Sequence, residues 1–129
     1  MPARIRARWL AALLLSLQGC GGGFYVRVGS GFDGSPPVVT LAATASTVAA
    51  GQPVRFVAAA ADESGIANVR FYRVDPTASV LLGTDANEPY EWSAIAPTDG
   101  RTTLVVFARA LDSEGNVADS AAVVVTVTP

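Results

Sequence analysis

The chain of 129 residues has no histidine, no lysine and one cysteine, Cys20. Without imidazole and with a single thiol, it cannot assemble His/Cys zinc sites, Ser-His-Asp triads or Cys-His dyads. No disulfide can form within it, so a folded domain has to hold by packing alone. Apolar runs are short. The N-terminal one, residues 9–17, reads WLAALLLSL, whereas a helix needs ~20 apolar residues to cross about 30 Å of hydrocarbon. These absences lead to a non-enzyme, with no catalytic residue, no metal and no cofactor expected.

What is present begins with an export-type segment, residues 1–19. Arg4, Arg6 and Arg8 form a positive start with no acid among them, and the apolar run follows. Leu17-Gln18-Gly19-Cys20 closes the segment. An aliphatic residue three places before a cysteine and a small one directly before it resemble the lipobox of bacterial lipoprotein signals. The resemblance implies cleavage between Gly19 and Cys20 and a diacylglycerol on the Cys20 thiol, the new amino terminus commonly being acylated too. Each buried CH₂ contributes ~0.8 kcal/mol, so two or more chains hold a protein stably to a membrane where one holds marginally. In such lipoproteins an Asp after the cysteine is the usual inner-membrane retention signal. Gly21 stands there, which makes the outer membrane of the cell envelope the expected location.

Residues 20–129 carry six arginines against eleven Asp and Glu, a net charge of −5. That balance argues against nucleic acid, whose phosphates demand a basic face. Residues 21–37, GGGFYVRVGSGFDGSPP, hold ten Gly, Ser or Pro in seventeen. Such a stretch behaves as a flexible tether with an r.m.s. span of roughly 20–25 Å. Residues 20–37 are therefore expected to be lipidated cysteine plus tether, and residues 38–129 one domain. Inside the tether, Phe24-Tyr25-Val26-Arg27-Val28 has three readings. It is an interfacial contact near the headgroups, an added edge strand, or an apolar stretch of unstructured linker.

From Val38 the chain alternates apolar and polar residues between turn signals, with no helical period. Val39 and Leu41 share one face, as do Val54, Phe56, Ala58 and Ala60, then Val69 and Phe71. Ser79 to Gly83 reads as a short strand, and Tyr90 and Trp92 alternate with Glu91 and Ser93. Leu104, Val106, Ala108 and Ala110 form a long apolar stripe, and Val123, Val125 and Val127 the last one. About seven antiparallel strands at 8–12-residue spacing predict an all-β, two-sheet sandwich. Four inward alanines bury little, so the bulk must come from Phe56, Phe71, Tyr90 and Trp92. Trp92 is accordingly expected in the core. Val69-Arg70-Phe71-Tyr72, Gly83-Thr84-Asp85 with Pro89-Tyr90-Glu91-Trp92, and Ala108-Arg109-Ala110-Leu111-Asp112 before Gly115-Asn116 together resemble the bacterial Ig-like domains of cell-surface proteins, over residues 36–129. Residues 73–79, with Pro76, depart from the tight turn usual in that family and leave the edge strand there open. Relatives of this kind serve as spacers, adhesin segments or binding accessories.

Two constellations stand out. Asp62 and Glu63 in one turn and Asp112, Glu114 and nearby Asp119 in another offer oxygen ligands that suit calcium. No EF-hand spacing is present, and acids in turns ordinarily cap their own backbone. The second constellation is the outward set on the strands around Phe71, Val106 and Val125: Arg70, Tyr72, Val105, Phe107, Arg109 and Val124. Water-facing strand positions should be polar, whereas aromatics and Arg are enriched at interfaces. The set marks a face for a protein partner or self-association, provided the register holds, since a one-residue slip would turn it inward. A carbohydrate-binding module using aromatic rings and Arg is the alternative.

Overall fold

The computed structural model describes residues 34–129. The export-type segment with Leu17, Gly19 and Cys20, and the apolar residues 24–28, lie outside the described residues. Nine strands follow in order: β1 (Val38–Ala43), β2 (Thr47–Ala49), β3 (Pro53–Ala61), β4 (Ile66–Val74), β5 (Ser79–Asp85), β6 (Tyr90–Ile95), β7 (Thr103–Asp112), β8 (Val117–Asp119) and β9 (Val123–Thr128). They build two sheets, β1-β3-β6 and β2-β9-β7-β4-β5, with β8 also paired to β7. The all-β sandwich expected from the alternation is what forms.

Two strands go beyond the seven expected. β2 leaves the first sheet and pairs with β9 in parallel, Thr47 opposite Thr126, so the assembly is not wholly antiparallel. No Gly or Pro marks this switch in Thr44-Ala45-Ser46. It is held by long-range backbone bonds, Thr44 N–H to Arg55 O and Thr126 N–H to Ser46 O. β8 and β9 both lie along β7, β8 against Arg109–Leu111 and β9 against Thr103–Val106. Between them the ladder breaks at Ser120, where the side chain replaces a backbone acceptor. Ala108 N–H donates to Ser120 Oγ at 2.9 Å, and Ser120 N–H donates back to Ala108 O at 2.8 Å.

The core follows the stripes read from the sequence. Val54, Phe56 and Ala58 of β3 meet Val69 and Phe71 of β4, Leu104, Val106, Ala108 and Ala110 of β7, and Val125 and Val127 of β9. Three of the β3 and β7 contributors are the small Ala58, Ala108 and Ala110, and the fully buried Phe56 and Phe71 supply the bulk of the core. Tyr90 is buried, while Trp92 is half-buried and packs against the rim of the core. Its indole lies over Gly83 of β5, so closely that any Cβ on Gly83 would overlap the ring. Trp92 thus covers the margin where β5 and β6 end their sheets, a place where unpaired strand edges are vulnerable.

The open question over residues 73–79 is answered by a four-residue hairpin loop, with Asp75 N–H donating to Ala78 O at 2.8 Å. β5 does form and pairs with β4, with a bulge between Phe71 and Tyr72.

Candidate functional site

The outward residues come together as expected on the face of β5, β4, β7, β8 and β9. Strand pairing sorts them into rows that run across the strands. In the first row Thr84, Arg70, Arg109 and Asp119 lie opposite one another in turn. In the second, Tyr72 stands between Leu81 and Phe107. Two residues further along come Val74, Val105 and Val124, the last two directly paired. Leu81 is 51% and Val124 57% exposed, high for large apolar side chains; Arg70, Tyr72, Val105, Phe107 and Arg109 are half-buried. Alternation produces this placement, since Val69, Phe71, Val106 and Ala108 point into the core and their neighbours must point out.

Tyr72 and Phe107 stack with centroids 5.1 Å apart and planes 11° from parallel. The Arg109 guanidinium carbon lies 5.3 Å from the Tyr72 centroid and 5.8 Å from that of Phe107, within cation–π range. Arg109 is held there by Asp119: Nε and Nη2 donate to the two carboxylate oxygens at 2.6 and 2.9 Å. These hydrogen bonds raise the Arg109 pKa above its ordinary value and lower that of Asp119. Asn68, two residues before Arg70 on the same strand, buries Oδ1 without a hydrogen-bond partner among the described residues.

Arg70 differs from the other described arginines. Arg55 pairs with Glu91, Arg73 and Arg101 both pair with Asp75, Arg101 also pairs with Asp99, and Arg109 pairs with Asp119. Arg70 makes no ion pair among the described residues, although it stands directly opposite Arg109. Like charges in that position repel. The Arg73–Asp75–Arg101–Asp99 chain ties the β4–β5 loop to the β6–β7 loop. Hydrogen bonds from Arg73 and then Arg101 hold the Asp75 carboxyl well below the usual carboxylate range, and Arg101 lowers Asp99 likewise.

The acidic turns do lie together, because Ser113 N–H donates to Gly65 O at 3.0 Å. The carboxylates of Asp62 and Asp112, however, serve the turns themselves. Asp62 Oδ2 accepts from Ser64 N–H and Oγ–H, at 2.9 and 2.7 Å. Asp112, 1% exposed, accepts from the backbone N–H of Glu114 and Asn116 through Oδ1, and from Asn116 Nδ2 through Oδ2. Gly65 and Gly115 take φ of +92° and +93° in these turns, a conformation costly for residues with a Cβ. No group of three or more Asp, Glu, His or Cys among the described residues is arranged to hold a metal ion.

Sequence reasoning grouped the outward residues but not their rows, and it left out Leu81 and Val74, which lie beside them. The signal for Leu81 was weak because the bulge in β5 shifts the alternation there. Which arginine is neutralised was not readable either, since the partner acids lie as far away as Glu91 is from Arg55.

A family described as bacterial Ig domain matches residues 37–106. No curated protein matches the chain. Among solved structures, the Clostridium thermocellum CbhA fibronectin(III)-like modules match at 23% identity with a TM-score of 0.59, covering 70% of this chain and 94% of theirs. A chain from a structure of T cell specificity and activation by the bacterial superantigen toxic shock syndrome toxin-1 matches at 16% identity with a TM-score of 0.51. That match covers 71% of this chain and 99% of the other. At such identities these likenesses speak for the sandwich fold alone.

Proposed function

Because the chain belongs to the bacterial Ig domain family, we propose that it is a non-catalytic interaction module of the bacterial cell envelope. In this reading a lipid on Cys20 holds it to the outer membrane, and the face around Tyr72 and Phe107 contacts a protein. One observation carries the contact: positions that should be polar on a water-facing sheet instead hold a stacked aromatic pair flanked by exposed Leu81 and Val124. Scattered apolar residues on a surface are ordinary; here they are contiguous across four strands, β5, β4, β7 and β9. The carbohydrate reading lacks a comparable support. Trp92 is packed over Gly83, and Tyr72 and Phe107 each turn one ring face to the other.

Two experiments on whole cells test the two halves. Intact mass of the mature amino terminus with membrane fractionation reports the anchor. Acylated Cys20 in the membrane fraction is expected, lost in Cys20→Ala; an unmodified, soluble chain refutes anchoring. Crosslinking in intact cells is expected to give a discrete adduct that Phe107→Asp abolishes while the Tm stays near wild type. An adduct pattern unchanged by Phe107→Asp refutes the face.

A further inference from the structure

Resting on that protein-contact reading, we propose that the occupant of the face is an extended, acidic protein strand patterned acid–x–apolar–x–apolar. Its carboxylate sits on Arg70, and its two apolar side chains sit on the Leu81–Tyr72–Phe107 row and the Val74–Val105–Val124 row. Three observations lead there.

The first is charge. Residues 34–129 hold five arginines against ten acids, yet the Arg70–Arg109–Asp119 row has a surplus positive charge. Asp119 supplies one negative charge against two positive ones, and both its oxygens are turned to Arg109. A half-buried guanidinium opposite another guanidinium favours a carboxylate, which it binds in a two-pronged, directional way. The second is spacing. The three rows are two residues apart on β4 and β7, so they repeat at about 6.8 Å, the interval at which an extended partner presents alternate side chains. A single strand laid along β4 and β7 therefore meets all three rows in order. The third is the chemistry of the two apolar rows. Leu81, Val74 and Val124 are exposed, and they ask for side chains that exclude water. An acidic sugar supplies the carboxylate but not that bulk, and the mutual stacking of Tyr72 and Phe107 removes much of the flat ring surface a sugar would use. A second copy stacked row upon row brings a second Arg70–Arg109 pair against the first and is repelled in that alignment.

The test is an NMR titration of the mature, full-length chain in detergent micelles with two peptides, acetyl-Asp-Thr-Leu-Thr-Val-amide and its counterpart with Lys in the first place. The Asp peptide is expected to shift the signals of Tyr72, Phe107, Val105 and Val124 and to bind at least about tenfold more tightly than the Lys peptide, the margin of one well-made charge pair. Arg70→Glu is expected to reverse that order, and Arg70→Gln to abolish it while leaving the remaining spectrum in place. Equal binding of the two peptides overturns the carboxylate inference but leaves the protein-contact reading standing. No shift of the face at millimolar peptide overturns the inference, and the crosslinking result then decides the broader reading by itself. Shifts produced by oligogalacturonate and not by the peptide, or concentration-dependent shifts without any ligand, overturn it in favour of an acidic sugar or a second copy.

Discussion

Replacing Gly83 by alanine adds one carbon atom, and it places that atom far inside van der Waals contact of the six-membered ring of Trp92. The contact is with a rigid ring, so no flexible chain end can yield, and the indole has to leave its place. A large aromatic buries about 150–250 Å² when fully covered. For a half-buried Trp92, losing roughly 100 Å² at about 25 cal/mol per Å² costs ~2–3 kcal/mol, in line with the ~1–3 kcal/mol typical of overpacking. For a domain of this size that corresponds to a fall in Tm of roughly 10–20 °C. The sign is expected to reverse once the ring is gone. In a Trp92→Ala background the overlap with the ring is gone, and Gly83→Ala is expected to gain about 0.4–1 kcal/mol by restricting the unfolded chain. Urea unfolding followed by circular dichroism on the four proteins of this cycle measures the coupling, expected at about 3 kcal/mol by adding these two estimates. A red shift of Trp92 emission in Gly83→Ala checks that the ring moves. Equal effects of Gly83→Ala in both backgrounds, or a change below about 0.5 kcal/mol in the wild type, the range of ordinary surface changes, would refute the reasoning.

Ser120→Ala leaves Ala108 N–H, in the core strand β7, without its acceptor. The expected loss is about 1–3 kcal/mol, the cost of an unsatisfied buried donor, with faster hydrogen exchange at Ala108; an unchanged exchange rate refutes the role of the side chain. The pH dependence follows from Asp75, Asp99 and Asp119, whose carboxyls all titrate below their ordinary value in the folded chain. Groups lowered in this way stabilise fully above the unfolded value of about 3.9 and lose that contribution as pH falls toward the folded one. Asp75→Asn is therefore expected to have a lower Tm than wild type at pH 7 and a much smaller deficit at pH 2. An equal deficit at both pH values argues against the charge being responsible.

Much of this architecture could be read in advance because each long strand has one dry side. Val69 and Phe71, or Leu104 through Ala110, repeat every second residue, and that period alone assigns faces without reference to any other strand. For the same reason Arg70, Tyr72, Val105, Phe107, Arg109 and Val124 could be grouped as one outward set before any pairing was known. Absences were equally decisive: without histidine and with one thiol, whole classes of chemistry were closed.

Tertiary structure alone decided what depends on distant pairing. The parallel attachment of β2 to β9, the Ser120 bridge across the β8–β9 break and the seat of Trp92 over Gly83 join segments that carry no local mark of one another. So does the order of rows, in which Tyr72 meets Phe107 and Arg70 meets Arg109. Alternation says which way a side chain points, but register between strands is set by the packing of the whole sandwich. Only that register leaves Arg109 neutralised by Asp119 and Arg70 without an acid among the described residues.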